Sequence, residues 1–418
     1  MSDGRPASDP SDVPQYATLT AFNVVFISLI GSSTLMLSLG VLAPMMMASA
    51  GMPAAAYGLI GGASGLGSVW LYMANSAFTL PLGPVRALIA GMAIGVTGAA
   101  LIATGLYALM VLGALLVGFA YATTGPAGSQ ILAENTPPLV RNRMFSFRQA
   151  GVPLGGAIAG IAGSAIAVQY GWRTALATIV LLLLATSIAL LLAPRRFNGN
   201  AARVRFRPSA LFALSNLRQP FVTIAAIPGL RLIALGSIGF ATVQGTLNAF
   251  FVTFLANGLG YDLKLAGFLY ALNQVSSVAG RVIFGLVADW VRSTRLVLCA
   301  LALMSSASAI AIASIGGDWP MPALVAVAIF SGLSVATWNG LWVAEVAALS
   351  PGRVSEATAG ATFFLFSTYV VVPPIAGLII TWFGYRAAFG LAAMAVLTTG
   401  VVLALIWRGR MREGQPQR

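Results

Sequence analysis

One ionisable side chain stands deep inside a long apolar stretch of this 418-residue sequence. Arg281 lies eight residues before Asp289 in the apolar run 264–288. At the rise of a helix this is roughly 12 Å inward, near the centre of a hydrocarbon layer. No acidic residue occurs at that depth in another run, so we expect Arg281 to face water or to bind an anion in a cavity. The planar guanidinium suits a carboxylate, which it can bind through two parallel hydrogen bonds. The alternative is that Arg281 braces the helices by donating hydrogen bonds to backbone carbonyls.

Polar and aromatic side chains of other apolar runs are further candidates for contact with a bound molecule. Arg148 is the second cation; it falls in the first turn of a helix predicted to begin near Phe145, where we expect it to face the cavity entrance. The candidates for the midplane are Gln244, Asn248, Asn273, Gln274, Trp338, Asn339, Phe364, Thr368 and Tyr369, with Ser33, Thr34, Tyr121 and Thr124 as weaker ones. Hydrogen bonding or packing between helices is the competing interpretation for each.

The composition excludes several kinds of chemistry. His is absent and Cys299 is the only cysteine, so a disulfide, a His-ligated metal and a Cys/His nucleophile pair cannot form. No Walker-type phosphate loop is present. We therefore expect no metal site, no cofactor and no enzymatic activity. A net charge of +13 would suggest nucleic acid in a soluble protein; here the placement of the charges indicates membrane orientation instead, and no nucleic acid partner is expected.

The hydropathy pattern predicts the fold class. Hydrophobic residues make up 58% of the chain and charged residues 8%, against about 25% charged residues in a soluble domain. The apolar runs are long enough to cross a lipid bilayer as helices and lack the alternation of a β-barrel. They predict an all-α polytopic membrane protein with twelve transmembrane helices at 20–47, 55–79, 85–106, 108–133, 146–169, 173–194, 230–256, 264–288, 294–315, 321–346, 355–382 and 386–407.

The basic residues indicate the orientation of the helices. With both termini on one side, only Arg173, Lys264 and Arg386 of the 23 basic residues fall on the other side, and Arg281 falls within the membrane. The positive-inside rule then places both termini in the cytoplasm. The predicted parts are a disordered cytoplasmic tail (1–19), a six-helix bundle (20–194), a basic cytoplasmic linker with a short surface helix around 208–217 (195–229), a second six-helix bundle (230–407) and a basic cytoplasmic tail (408–418).

The two halves of the chain repeat each other. Ala133–Glu134 precedes Arg141 and a later G-W-R at 171–173; Ala344–Glu345 precedes Arg353 and a later G-Y-R at 384–386. The offset of 211 to 213 residues is half the chain. It predicts two pseudo-symmetric six-helix bundles with an accessible seam between them. We expect breakable ion pairs of Glu134 with Arg141 or Arg143, and of Glu345 with Arg353.

Two further motifs carry a resemblance to a known family. GLVADWVRSTR holds Gly285, Asp289, Arg292 and Arg295 in the manner of a G-x-x-x-D-R-x-G-R-R signature, and FRQAGVPLGG occupies 147–156. With the twelve runs and the half-chain repeat, residues 20–407 resemble the major facilitator superfamily of secondary transporters. At a helix end, Asp289 is placed to accept hydrogen bonds from the N–H groups that open helix five, as a latch. Anchoring of helix ends by these charges is the alternative.

The spacing of Arg281, Gly285 and Asp289 is similar to helix eight of the monocarboxylate transporters and the oxalate/formate exchangers. In those families an Arg at this place contacts the substrate carboxylate, which the resemblance implies for Arg281. This sequence departs from them at two points. The stretch 357–381 contains no Lys or Arg, so a second cation on helix eleven is missing, and Ser277 stands where monocarboxylate transporters commonly have Asp.

Together these features predict a secondary active transporter of a small organic anion, a monocarboxylate, that works by alternating access in the inner membrane of a bacterium. A multidrug or lipophilic-compound exporter of the same superfamily is the first alternative, although the chain has no membrane-embedded acid to attract a cation. A membrane receptor of the same fold is the second. Coupling to a proton is left open, because His is absent and no acidic residue lies at the midplane.

Overall fold

The computed structural model describes residues 15–198, 206–213, 222, 224–226, 228–350 and 354–412. Within them the chain forms twelve long helices and no β-strand, as the hydropathy pattern predicts. The helices are α1 (Gln15–Ala50), α2 (Ala54–Leu82), α3 (Pro84–Ala103), α4 (Tyr107–Asn135), α5 (Pro138–Arg148, Gly151–Ile158 and Ser164–Tyr170), α6 (Trp172–Leu191), α7 (Pro228–Thr253), α8 (Leu263–Val291), α9 (Thr294–Ser314), α10 (Met321–Val335 and Trp338–Leu349), α11 (Val354–Phe383) and α12 (Tyr385–Arg412). A π-helical turn at Ala159–Gly163 lies within α5, and another at Phe254–Gly258 ends α7.

Eleven of these helices are long and apolar enough to cross a membrane. The twelfth, α2, is equally long at 29 residues, and its Gly and Ser residues make it less apolar. Those residues let it pack closely against α4 and α11. The structure therefore confirms a multi-pass helical membrane protein with the predicted number of helices.

The start of α5 differs from its prediction. The sequence predicts residues 146–169, whereas the helix begins roughly two turns earlier at Pro138. Pro137 and Pro138 occupy the N-cap and first helical positions, where a missing N–H costs nothing. The charges at Arg141 and Arg143 resemble a loop in the sequence, but they lie on this extension of the helix.

The G-[WY]-R turns have the same function in both halves. Gly171 and Gly384 adopt φ of 86° and 83°, which only glycine accepts readily. The arginine two residues later then reaches a carbonyl at the end of another helix. Arg173 Nε donates to Ala103 O at 2.8 Å, at the end of α3. Arg386 Nη2 donates to Ile315 O at 3.3 Å, just past α9. These matched contacts support the predicted internal repeat.

We call the end of the bundle that carries the α8–α9 turn and the linker turn Pro208–Phe212 the linker face, and the opposite end the distal face. The linker turn lies within the predicted surface helix 208–217, of which 214–217 fall outside the described residues. It packs on α2, since Trp70 Nε1 donates to Leu211 O at 2.9 Å.

The two halves of the protein, α1–α6 and α7–α12, pack tightly on the distal side. A Cβ at Gly58 of α2 would collide with the Pro373 carbonyl of α11, and a Cβ at Gly160 of α5 would stand 2.6 Å from the Gly267 carbonyl of α8. Near the distal end, Ala55 N donates to Thr381 Oγ1 at 3.0 Å. These close approaches bring α2 against α11 and α5 against α8.

Toward the linker face the halves separate. Gly285, in the last third of α8, has open space where a Cβ would point. Leu139 at the start of α5 and Trp290 at the end of α8 are both largely exposed. The described contacts between the halves therefore close the distal side, whereas Gly285, one turn beyond Arg281 on the same face of α8, has free space beside it toward the linker face.

Candidate functional site

Arg281 lies where the two halves begin to separate. Its Nη1 donates to Gln149 O of α5 at 2.6 Å, and its Nε donates to Ala336 O of α10 at 3.4 Å. A guanidinium has five N–H groups. The other three N–H groups of Arg281 have no partner among the described residues, and the side chain is partly exposed. The predicted bracing by carbonyls is therefore present but incomplete.

Breaks in two helices supply these carbonyls. In a regular helix the N–H of residue 153 would donate to Gln149 O, but residue 153 is proline and has no N–H. In α10 the helix is interrupted at Ala336 and Thr337, and carbonyls at such an end lose their helical partners. Ala336 O also accepts a hydrogen bond from Asn339 Nδ2 at 3.3 Å. The predicted candidates Asn339 and Arg281 thus share one acceptor.

Arg148 lies in the interior of the protein. Its side chain is only 6% exposed, so the prediction that it faces an entrance is wrong. The reason is the early start of α5, which makes Arg148 the end of its first segment rather than its first turn. The guanidinium binds α4, with hydrogen bonds to Ser129 Oγ at 3.0 Å, Thr124 O at 2.7 Å and Gly125 O at 3.1 Å. Its Nε is buried without a hydrogen-bond partner.

Three tyrosines interact electrostatically with the two guanidiniums. Tyr121 of α4 interacts electrostatically with both Arg148 and Arg281. Tyr369 of α11 interacts with Arg281, and Tyr72 of α2 with Arg148. We call the space bordered by these five residues the chamber. Tyr369 is a predicted site residue and Tyr121 a weaker one. Tyr72 is not among the predicted residues, because its only signal in the sequence is a phenol at mid-helix in a Gly-rich span.

Aromatic rings continue along one side of the chamber. The rings of Tyr72 and Phe366 are 4.7 Å apart across the boundary between the halves, and the rings of Phe366 and Tyr369 are 5.8 Å apart. We call these three residues the aromatic wall. All three are partly exposed. Phe366 is not among the predicted residues, whereas Phe364, two residues before it, is.

Trp338 and Asn273, predicted for the cavity, belong to the packing of the C-terminal half. Trp338 is fully buried, and its Nε1 donates to Gln244 Oε1 at 3.1 Å. Asn273 is 2% exposed and donates to Ser331 Oγ at 2.8 Å. The sequence did not indicate which face of each helix turns inward. Gln244 itself is partly exposed and accepts from Trp338 and Asn339, so it ties α7 to α10.

Gln274 and Asn248 lie on the distal side of the chamber. Gln274 Nε2 donates to Asn248 Oδ1 at 3.3 Å, and Tyr270 donates to the same oxygen at 3.2 Å. A Cβ at Gly156 of α5 would stand 2.9 Å from Gln274 Cγ. This amide pair therefore lies in the closed contact between the halves, with Asn248 the more exposed member.

The charges of the described helices leave the chamber positive. Arg148 and Arg281 are its two cations. Each described helix residue that is acidic lies within two turns of a helix end, as the examples Glu134 of α4, Asp289 of α8 and Glu345 of α10 show. The described residues contain no cluster that could hold a metal ion. The chamber can thus offer hydrogen bonds and positive charge to an anion.

Comparison with known proteins settles the family. The family model described as Major Facilitator Superfamily matches residues 21–346. The chain belongs to the major facilitator superfamily. A crystal structure of a mutant of the nucleoside transporter NupG aligns with a TM-score of 0.73 and 14% identity over 93% of this chain and 99% of that one. A crystal structure of a mutant of the peptide transporter POT aligns with a TM-score of 0.73 and 14% identity over 96% and 99%. No curated protein matches the sequence.

Membership of the superfamily confirms the resemblance carried by the motifs. The protein is a membrane transporter for a small molecule rather than an enzyme. At this low identity the solved structures show the fold alone. They leave the substrate to be inferred from the chamber of this chain.

The predicted gating residues of this superfamily member lie at the linker face, apart from the chamber. Asp289 is exposed in the last turn of α8 and makes no hydrogen bond to α5 among the described residues. Arg292 ends α8 with φ of 54°, a left-handed conformation that is uncommon for a residue other than glycine. The latch proposed for Asp289 is therefore not formed here, in agreement with the separation of the halves at this face.

Glu345 forms an ion pair, but with a different residue than predicted. Its carboxylate is 5% exposed and accepts a hydrogen bond from Arg295 Nε. The first turn of α9 lies beside α10, so Arg295 is nearer than the sequence suggests. The predicted partner Arg353 lies outside the described residues.

The predicted ion pair of Glu134 with Arg141 or Arg143 is absent from the described residues. Glu134 Oε1 accepts from Gln130 Nε2 at 2.9 Å instead. Arg141 donates to Thr136 O, with Nη2 at 3.1 Å. Because α5 begins at Pro138, Arg141 lies on its first turn and reaches back to the end of α4.

Proposed function

We propose that this superfamily member transports a small organic anion, a monocarboxylate, by alternating access. Arg281 carries the proposal, because it is a cation at mid-helix with three N–H groups that lack partners among the described residues. A carboxylate would complete those hydrogen bonds through the bidentate geometry that guanidinium favours. No described acidic residue is placed to do so instead.

The hydrogen bonds of Arg148 bear on how many carboxylates the substrate carries. Arg148 is buried and already donates three hydrogen bonds to α4. Its charge adds a positive potential to the chamber, while Arg281 is the guanidinium with exposed N–H groups. One accessible guanidinium favours one carboxylate.

The separation of the halves supports the alternating-access part of the proposal. Contacts such as that between Gly58 and Pro373 close the distal side, and the free space beside Gly285 favours access from the linker side. Rocking of one half against the other would open the distal side and bring Asp289 toward the start of α5. We propose that the linker face is cytoplasmic, because the basic residues concentrate there, and that the membrane is a bacterial inner membrane.

Among the residues that the structure describes, no carboxylate lies in the chamber to carry a coupling proton. A coupling proton would therefore travel with the substrate or its bound water rather than on an acidic side chain. Uptake measured with and without a pH gradient separates co-transport from exchange.

Uptake of a panel of radiolabelled monocarboxylates into proteoliposomes tests the function. We expect saturable uptake by the wild type, loss of most uptake in Arg281→Ala and partial uptake in Arg281→Lys, because Lys keeps the charge but loses the fork. Arg143→Ala removes an exposed arginine and serves as the matched control. Saturable carboxylate uptake retained by Arg281→Ala contradicts the proposal, and transport of a lipophilic cation without any anion favours the exporter.

A further inference from the structure

The aromatic wall is connected to Arg281 through Tyr369. Tyr369 belongs to the wall and also interacts electrostatically with Arg281. Tyr72 belongs to the wall from the other half of the protein and interacts with Arg148. A molecule bound to Arg281 could therefore reach the rings of Tyr369 and Phe366 with its apolar part.

The phenol hydroxyls near the two guanidiniums lack hydrogen-bond partners in the part of the chain that the structure describes. The hydroxyls of Tyr72, Tyr121 and Tyr369 have no hydrogen-bond partner among the described residues, and none of them is a fully buried atom. In contrast, Tyr270 in the closed part of the protein donates to Asn248. Phenols without protein partners beside partly exposed rings form a surface that is apolar on the ring faces and polar at the edge.

We propose that the substrate is an aromatic monocarboxylate, whose carboxylate binds Arg281 and whose ring packs against Phe366 and Tyr369. This inference rests on the proposed function and narrows its substrate class. Ring packing in offset or edge-to-face geometry is worth more than equal apolar area, and it requires a planar ring on the substrate. Lactate, which has a carboxylate and a hydroxyl but no ring, would gain the contact with the guanidinium without the ring packing.

The position of the wall also couples this binding to the transport cycle. Tyr72 and Phe366 belong to opposite halves and touch each other at the boundary. A ring packed on Phe366 would therefore lie next to a pair of rings that joins the two halves. An aliphatic acid of similar charge would lack the ring packing at that pair.

The first test measures how well unlabelled acids compete with the uptake of a radiolabelled monocarboxylate by the wild type. Benzoate, cyclohexanecarboxylate and lactate all carry one carboxylate, and the first two are similar in size while only benzoate is planar and aromatic. We expect benzoate to inhibit at concentrations about fivefold lower than cyclohexanecarboxylate, in line with the strength of aromatic pairs. Equal inhibition by benzoate and cyclohexanecarboxylate would overturn the inference.

The second test compares uptake of labelled benzoate and lactate in Phe366→Leu and in Phe383→Leu. Phe383 is an exposed phenylalanine at the distal end of α11 and serves as the control. We expect Phe366→Leu to lower benzoate uptake relative to lactate uptake by about fivefold, and Phe383→Leu to leave the ratio unchanged. An unchanged ratio in Phe366→Leu contradicts the inference.

The two proposals fail in different ways. Arg281-dependent uptake of lactate without preference for benzoate rejects the aromatic substrate and keeps the anion transporter. Absence of Arg281-dependent uptake of any carboxylate rejects both.

Discussion

Arg281 of the C-terminal half donates a hydrogen bond of 2.6 Å to the main-chain oxygen of Gln149 in the N-terminal half. This bond joins the two halves at the height of the chamber. It exists because Pro153 leaves that oxygen without its helical donor. The motif FRQAGVP thus places a buried arginine, a carbonyl without its helical donor and the proline responsible within six residues of α5.

Pro153→Ala tests this relationship. The new N–H would donate to Gln149 O within the helix and compete with Arg281, so the guanidinium would be less firmly oriented. We expect the KM for the transported carboxylate to rise about tenfold, the effect of losing one hydrogen bond to a charged group. Pro322→Ala, at an exposed position in the first turn of α10, is the control. An unchanged KM in Pro153→Ala would show that this carbonyl does not position Arg281.

Gly58→Val tests the closure of the distal side. The added side chain would collide with Pro373 O and force α2 away from α11. The parent protein for this test carries Cys299→Ser and Val370→Cys, so that residue 370 is its only cysteine. A bulky thiol reagent is added from the distal side. We expect it to label residue 370 several times faster in the parent with Gly58→Val than in the parent itself. Gly390→Val, where a Cβ meets open space, should label like the parent. Equal rates in all three proteins would mean that this contact is not what closes the distal side.

The ion pair of Arg295 and Glu345 should stabilise the linker end of the C-terminal half. Arg295→Ala leaves a buried carboxylate without its partner, and we expect a loss of about 3 kcal/mol in the free energy of unfolding. This loss is measured as a lowered Tm in detergent. The double variant that carries Arg295→Ala and Glu345→Ala should recover much of the lost free energy of unfolding, because the unpaired carboxylate is removed. A double variant less stable than Arg295→Ala would contradict a coupled pair.

The two G-[WY]-R turns predict a difference between the halves. Arg173 makes the shorter hydrogen bond and also lies 4.4 Å above the ring of Trp172. We expect Arg173→Ala to cost about 1–2 kcal/mol and to lower Tm more than Arg386→Ala does. The same Tm loss in both variants would show that the cation–π contact adds nothing.

The sequence predicts the fold well because the membrane imposes a strong length constraint on apolar runs. The helix number follows from it, and so does the expected depth of Arg281, whereas the internal repeat follows from the spacing of the paired motifs. The burial of Arg148 could not be predicted, because two prolines begin α5 inside a stretch that looks like a charged loop. Nor could the roles of Asn273 and Trp338, since a uniformly apolar helix gives no signal for the face that turns inward. The carbonyl partners of Arg281 depend on helix breaks, of which only Pro153 is visible in the sequence.

The central claim concerns the three N–H groups of Arg281 that lack partners among the described residues. An experimental structure of the wild type with the carboxylate that uptake identifies tests it most directly. The account predicts carboxylate oxygens at about 3 Å from Arg281 Nη2, with Gln149 O still accepting from Nη1. Density showing Arg281 saturated by main-chain oxygens, and the substrate bound elsewhere, would contradict it.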